Sequence, residues 1–238
     1  MKPYRLAIVA SHPIQYQAPL FRALAADPRL DVTVYYCWNF GISEPGFDRE
    51  LGVRVKWDVS LLAGYRSVLL KNISLKPGPS LLGQINPSIV GELRRNRFDA
   101  VLVHGYTTVT AWVVFLTRWY TGARVILRGE ADAGKRNGVL KESIKSAILT
   151  VLFRTIPAFL YSYALNKKFF MRYEVPERKL FFFPCAVDND FFGGKSSELK
   201  SKRNELKKSI GIKNLDAPTF IFLGKLMKRK RTLDILKA

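Results

Sequence analysis

Cysteine and histidine are scarce: Cys37, Cys185, His12 and His104 are the whole supply in 238 residues. Neither cysteine belongs to a paired motif, so the usual spacings assemble no zinc site and imply no disulfide framework. Two buried free thiols in a reducing, cytoplasmic setting are expected. Acidic residues are also few, 19 against 39 Lys+Arg, which leaves a formal charge of +20. Such an excess attracts polyanions, phosphorylated ligands or an anionic membrane surface. Long uncharged apolar runs are missing too. Leu6 to Ala10 is shorter than a secretory core of about 7 to 15 residues. Ala147 to Leu165 has spanning length but carries Arg154 near its centre, at a cost of about 2.5 to 3.5 kcal/mol on insertion scales, and Pro157 divides it into a helix and a strand. What is present is 48% hydrophobic and 13% aromatic content, enough for a folded core and too much for a disordered chain.

The pattern alternates. Arg5–Ala10, Asp31–Tyr36, Ala100–His104, Arg124–Leu127, Ala158–Ser162 and Lys179–Phe183 read as short strands. Between them Pro19–Ala25, the stretch after Asn86-Pro87, the stretch from Thr107 or Thr108 to Gly122, a basic segment before Arg154, and Asn166–Tyr173 read as helices, with Asn86 and Thr107/Thr108 as start signals and Gly122 as a stop. Strands apolar on both faces and separated by helices predict a doubly wound parallel α/β sheet over residues 1–192. A charge shift follows: net +9 from Gly193 to Ala238 against +11 for everything before it. Residues 193–216 read as a basic linker or exposed helix, and 217–238 as a strand at Thr219–Leu223, a basic turn and a helix near Thr232, the start of a second domain.

In such a sheet, ligands collect beyond the carboxyl ends of the strands. The first loop, Ser11 to Pro19, is not a GxGxxG turn, which weighs against dinucleotide redox chemistry. It offers His12, Gln15, Tyr16 and Gln17, donors and acceptors suited to sugar hydroxyls, or else a turn with an incidental polar cluster. Two further loops open at His104-Gly105 and Arg128-Gly129-Glu130. Glu130 is placed to orient or deprotonate a hydroxyl, or to stand as a solvated carboxylate paired with Arg128. The last loop, Gly224 to Arg231, combines a small residue with Lys225 and Lys230, which can neutralise a diphosphate without a metal.

Four blocks taken in order resemble the retaining, family-four type of GT-B glycosyltransferases: His12-Pro13-Ile14-Gln15-Tyr16 with Pro19-Leu20-Phe21; Leu127-Arg128-Gly129-Glu130; Val175 to Lys179 leading to Phe183-Pro184-Cys185-Ala186-Val187-Asp188-Asn189-Asp190-Phe191-Phe192; and Phe222-Leu223-Gly224-Lys225 with Lys230. The sequence departs from that pattern where Gln15-Tyr16-Gln17 replaces a glycine pair, Arg128 a histidine, and Lys225 an arginine. The resemblance implies sugar transfer from a nucleotide sugar, with retention and no cofactor or metal. His12 and Glu130 would be catalytic, Gln15, Tyr16, His104 and Arg128 would bind a glycan or lipid-linked acceptor, and Gly224, Lys225 and Lys230 would hold the donor diphosphate. It also implies a truncated chain, inactive unless the remaining donor-side domain is supplied, for instance as a separate chain.

Other readings stay open. A non-catalytic polyanion binder fits the charge, although no RNP-type motif or stacking platform points to specific nucleic-acid binding. A remnant or interaction domain fits the end at Ala238. Finally, Lys135 to Arg154 interleaves Lys135, Arg136, Lys141 and Lys145 with Val139, Leu140, Ile144, Ile148 and Leu149. That is the pattern of a basic amphipathic helix at a membrane surface, or of a surface helix whose apolar stripe packs on the sheet.

Overall fold

Seven short strands, β1 (Tyr4–Ala10), β2 (Leu30–Tyr36), β5 (Arg66–Leu69), β6 (Ala100–His104), β7 (Arg124–Arg128), β8 (Ala158–Tyr161) and β9 (Leu180–Phe182), form one parallel sheet in the order β5-β2-β1-β6-β7-β8-β9. β3 (Gly46–Asp48) and β4 (Val53–Val55) make a separate antiparallel pair. The computed structural model describes residues 2–235 except 43–45, 49–51, 56, 58–59, 132–138, 225 and 227–229. The chain divides into two units, residues 1–45 with 56–187, and residues 46–55 with 188–238.

Alternation along each strand sends side chains to opposite faces. One face, with Ala7, Val9, Val101, Val103, Val125, Leu127 and Phe159, is covered by α2 (Ser88–Asn96), α3 (Val109–Thr121), α4 (Val139–Thr155) and α5 (Ala164–Arg172). The other, with Ile8, Val34, Tyr36 and Leu102, is covered by α1 (Gln17–Ala26) through Phe21, Leu20 and Leu24. This is the expected doubly wound architecture. Thr108 caps α3 by accepting from the Ala111 amide at 3.3 Å, and Gly122 ends it at φ 76°, a left-handed conformation that favours glycine. Pro157 separates α4 from β8, as its missing amide hydrogen requires.

Asn86 departs from expectation. Pro87 occupies the cap position of α2, and the fully buried Asn86 turns inward. Its amide donates to the carbonyls of Cys37 at 3.0 Å and Lys71 at 3.1 Å, while its oxygen lies 2.8 Å from the Thr110 hydroxyl. It thus ties the ends of β2 and β5 to α3. Asn86→Ala strands these groups without water, so urea denaturation should show a loss of about 1–3 kcal/mol. Asn86→Asp should not restore it, because a carboxylate cannot donate.

In the second unit, residues 193–216 are largely helical: α6 (Asn189–Leu199) and α7 (Arg203–Ser209) are joined by a 3-10 turn at Lys200–Lys202. Asp188 caps α6 by accepting from the Phe191 amide at 2.9 Å. Thr219–Leu223 is not a strand, contrary to the expectation, and Thr232–Asp234 is a 3-10 turn. An extended segment becomes a strand only by sharing hydrogen bonds with a neighbour, and among the described residues Thr219–Leu223 has none.

Candidate functional site

The chain leaves β1 toward β2 and β5, then returns to place β6 on the other side of β1. Loops after β1 and β6 therefore diverge, and at the carboxyl edge between them opens the crevice that doubly wound sheets use for ligands. The loop after β1 ends at Tyr16, the N-cap position of α1, and α1 has neither a capping side chain nor an acid in its first turn. Its amide groups and dipole thus favour negative charge at this edge.

Gln17, in the first turn of α1, crosses the crevice: its Nε2 lies 3.3 Å from His104 Nδ1 at the end of β6. With the amide donating, the ring accepts at Nδ1 and carries its proton on Nε2. Burial, reinforced by the Arg128 guanidinium, lowers the His104 pKa to about 3, so the ring is neutral at physiological pH. Arg128 is the register partner of His104 on β7, so both side chains stand on the α1 face.

Arg128 is only 3% exposed yet weakly matched. Its Nη2 lies 3.6 Å from Glu130 and 3.5 Å from Cys185 Sγ, and its guanidinium sits 5.3 Å from the centre of the Phe183 ring. Three polar atoms here, Gln17 Oε1, His104 Nε2 and Arg128 Nε, are buried without a protein partner. An unpaired buried polar group costs about 1–3 kcal/mol, so this edge is built to receive hydrogen-bonding groups: two donors and one acceptor.

Glu130 is 56% exposed. Its backbone is held from below, with Tyr163 donating to the Glu130 carbonyl at 3.1 Å and Asn166 to the Ala131 carbonyl at 2.7 Å. Tyr16 belongs to the same neighbourhood. Its phenol pKa is raised first by burial and then by the Glu130 carboxylate, against the opposing pull of Arg128.

The structure thus brings Tyr16, His104, Arg128 and Glu130 together. It joins Gln17 of the first loop to His104 and adds Cys185, whose place here only the packing reveals. Cys185 is exposed, not buried as expected; Cys37 is the buried thiol. His12 lies at the same edge but turns toward β2, bonding Ser11 at 3.0 Å and meeting the Trp38 and Phe40 rings edge-on at 5.5 and 5.6 Å. Burial lowers its pKa as well. Gln15 is exposed. Gly224 and Lys230 belong to the second unit, both exposed, and Lys225 lies outside the described residues.

No family model and no curated protein matches the sequence. Solved structures match the fold. A structure of Anabaena Alr3699/HepE in complex with UDP and glucose has a TM-score of 0.55 at 11% identity, covering 87% of this chain and 50% of that one. Another, in complex with UDP-glucose, has a TM-score of 0.53 at 12% identity, covering 88% and 50%. This chain spans about half the length of the HepE chains it matches. The likeness supports the Rossmann-like α/β arrangement of the GT-B fold.

Proposed function

We propose that the chain forms the acceptor-side part of a glycosyltransferase that moves a sugar from a nucleotide-sugar donor to a hydroxyl-bearing acceptor, a glycan or lipid-linked saccharide. The observation that carries this reading is the set of three unpartnered buried polar atoms on Gln17, His104 and Arg128 at the crevice, on a fold shared with proteins whose complexes contain UDP, glucose or UDP-glucose.

In the reaction, the bond from the sugar's anomeric carbon to the leaving phosphate oxygen breaks. A bond from that carbon to the acceptor oxygen forms, and the acceptor hydroxyl loses its proton. Neutral His104 donates from Nε2 to a sugar oxygen, Gln17 Oε1 accepts from a hydroxyl, and Arg128 fixes the acceptor's orientation. Glu130 orients the reacting hydroxyl and draws off its proton, while His12, turned toward Trp38 and Phe40, takes no part in that step. Retention of configuration, and neutralisation of the departing diphosphate by Lys225 and Lys230 rather than by a metal, belong to the same proposal. Developing phosphate charge is stabilised best by fixed cations in a water-poor site. The lysine-bearing segment has no sheet of its own among the described residues, so this chain alone should not turn over.

Saturation-transfer NMR with the 238-residue chain and millimolar methyl glycosides of glucose, galactose, mannose and N-acetylglucosamine tests the acceptor side. Binding of at least one glycoside is expected, weakened about tenfold by Arg128→Gln or Gln17→Ala, as for loss of one charge-assisted or buried hydrogen bond. Absence of binding, or binding indifferent to both changes, overturns the site. Release of UDP from UDP-glucose by this chain, abolished by Lys230→Ala, overturns its inactivity alone.

A further inference from the structure

The outer faces of α3 and α4 are apolar where surface helices ordinarily carry charge. α3 buries Ala111, Val114 and Phe115 against the sheet but also leaves Leu116, Trp119 and Tyr120 in solvent. α4 buries Leu149, Leu152 and Phe153 yet leaves Ile144, Ile148 and Val151 outside, one stripe at helical spacing. These six side chains are between 48 and 74% exposed. The two helices precede and follow β7 and cover the same sheet face, so their outer sides look out from the same side of the sheet. The apolar stripe expected to pack on the sheet is therefore split: Leu149 packs, Ile144 and Ile148 do not.

The charges around this surface are mainly positive. The Arg118 guanidinium lies 3.5 Å from the centre of the Trp119 ring. That of Arg94 lies 5.0 Å from the Tyr120 ring centre and donates to the Tyr120 carbonyl at 3.2 Å. Arg124 is exposed after α3, and Arg154 is exposed in the last turn of α4, where it pairs with Glu174. α3 contains no acidic residue and α4 only Glu142, while Lys141 and Lys145 lie on α4 and Lys135 and Arg136 precede it in sequence. Arginines at helix ends also suit the helix dipole, but that does not account for the exposed tryptophan, tyrosine and aliphatic stripe.

We propose that the joint outer face of α3 and α4 docks on an anionic lipid surface, the two helices lying in the headgroup region without crossing it. Among the described residues no helix is long and apolar enough to cross a membrane. Trp119 and Tyr120 supply the amphipathic rings that settle at the water–lipid boundary, the isoleucines and leucine supply apolar area, and the exposed Arg94, Arg124 and Arg154 supply attraction to anionic headgroups. The cationic rim selects this occupant over a second copy of the chain, whose own rim would carry the same charge.

The test is co-sedimentation of the full chain with vesicles of phosphatidylcholine alone and with about one-third phosphatidylglycerol. Binding to the anionic vesicles at least about tenfold tighter than to neutral ones, and weakened by salt, is expected. A combined Leu116→Gln, Tyr120→Gln, Ile148→Gln variant should lose about tenfold or more, whereas Phe220→Gln, another exposed ring but in the second unit, should not. Anionic vesicles should shift the tryptophan emission to the blue, and Trp119→Phe alone should remove most of that shift, a reading independent of the triple variant's folding. Equal binding to both vesicles, an unchanged triple variant, or a blue shift that survives Trp119→Phe overturns the proposal. So does a dimer in sedimentation velocity that the same substitutions dissolve, which would make the face an interface between copies.

Discussion

Lowering the pH from 6.5 to 4.5 should cost the protein about 2–3 kcal/mol through His104 alone. Folding depresses the His104 pKa to about 3, burial being the larger cause and the Arg128 charge the smaller. An unfolded histidine titrates near 6.5, so between those values the unfolded chain binds a proton that the folded chain refuses. Stability is therefore fully present above about pH 6.5 and falls as the pH drops toward 3. His12 acts in the same direction, since burial lowers its pKa too. Carboxylates also respond to acid, so the informative quantity is a difference. Urea denaturation at both pH values should show a smaller acid loss in His104→Gln than in the wild type, by about 2–3 kcal/mol. Equal losses would mean that the ring protonates freely and has room for a counter-charge, and would remove its assignment as a neutral donor.

Truncating Phe153 to alanine should destabilise the first unit by about 3–5 kcal/mol. Phe153 is fully buried on α4, with ring centres 5.2 Å from Phe159, 5.8 Å from Phe170, 5.7 Å from Tyr173 and 6.0 Å from Tyr106. These partners come from β8, α5, the segment after it and the loop after β6, so one ring joins four parts of the chain. All four contacts are edge-to-face, a geometry that adds to the area term. Removing the ring leaves a cavity whose aromatic walls cannot collapse without moving two helices. Phe153→Leu should recover a large part of the loss. Urea midpoints with unchanged slope measure the effect, and a loss below about 1 kcal/mol would show that α4 is not fastened to the sheet in this way.

The site was partly legible because parallel strands share one direction: any residue just after a strand lies at the carboxyl edge, so His12, His104, Arg128 and Glu130 were placed there by strand order alone. The departures have local causes. Asn86 had the form of a cap, but Pro87 took the cap position and freed the Asn86 amide for carbonyls at the sheet edge. β5, four residues at the edge of the sheet with partly exposed side chains, lacks the apolar run that betrays an interior strand. Thr219–Leu223 has such a run and forms no strand, because a ladder needs a partner.

By itself the sequence determined the alternation of strands and helices, their parallel pairing and the edge at which ligands are met, because hydrophobic period, caps and turn residues act over a few neighbours in the chain. Only the tertiary structure decided that β6 pairs with β1, which carries Gln17 to His104 across 87 positions. It likewise brought Cys185 out of the core to Arg128, turned His12 into an aromatic corner beside β2, and left the outer faces of α3 and α4 uncovered. These are matters of burial and through-space register, set by which surfaces pack together, and no local pattern encodes which strand becomes the neighbour of which.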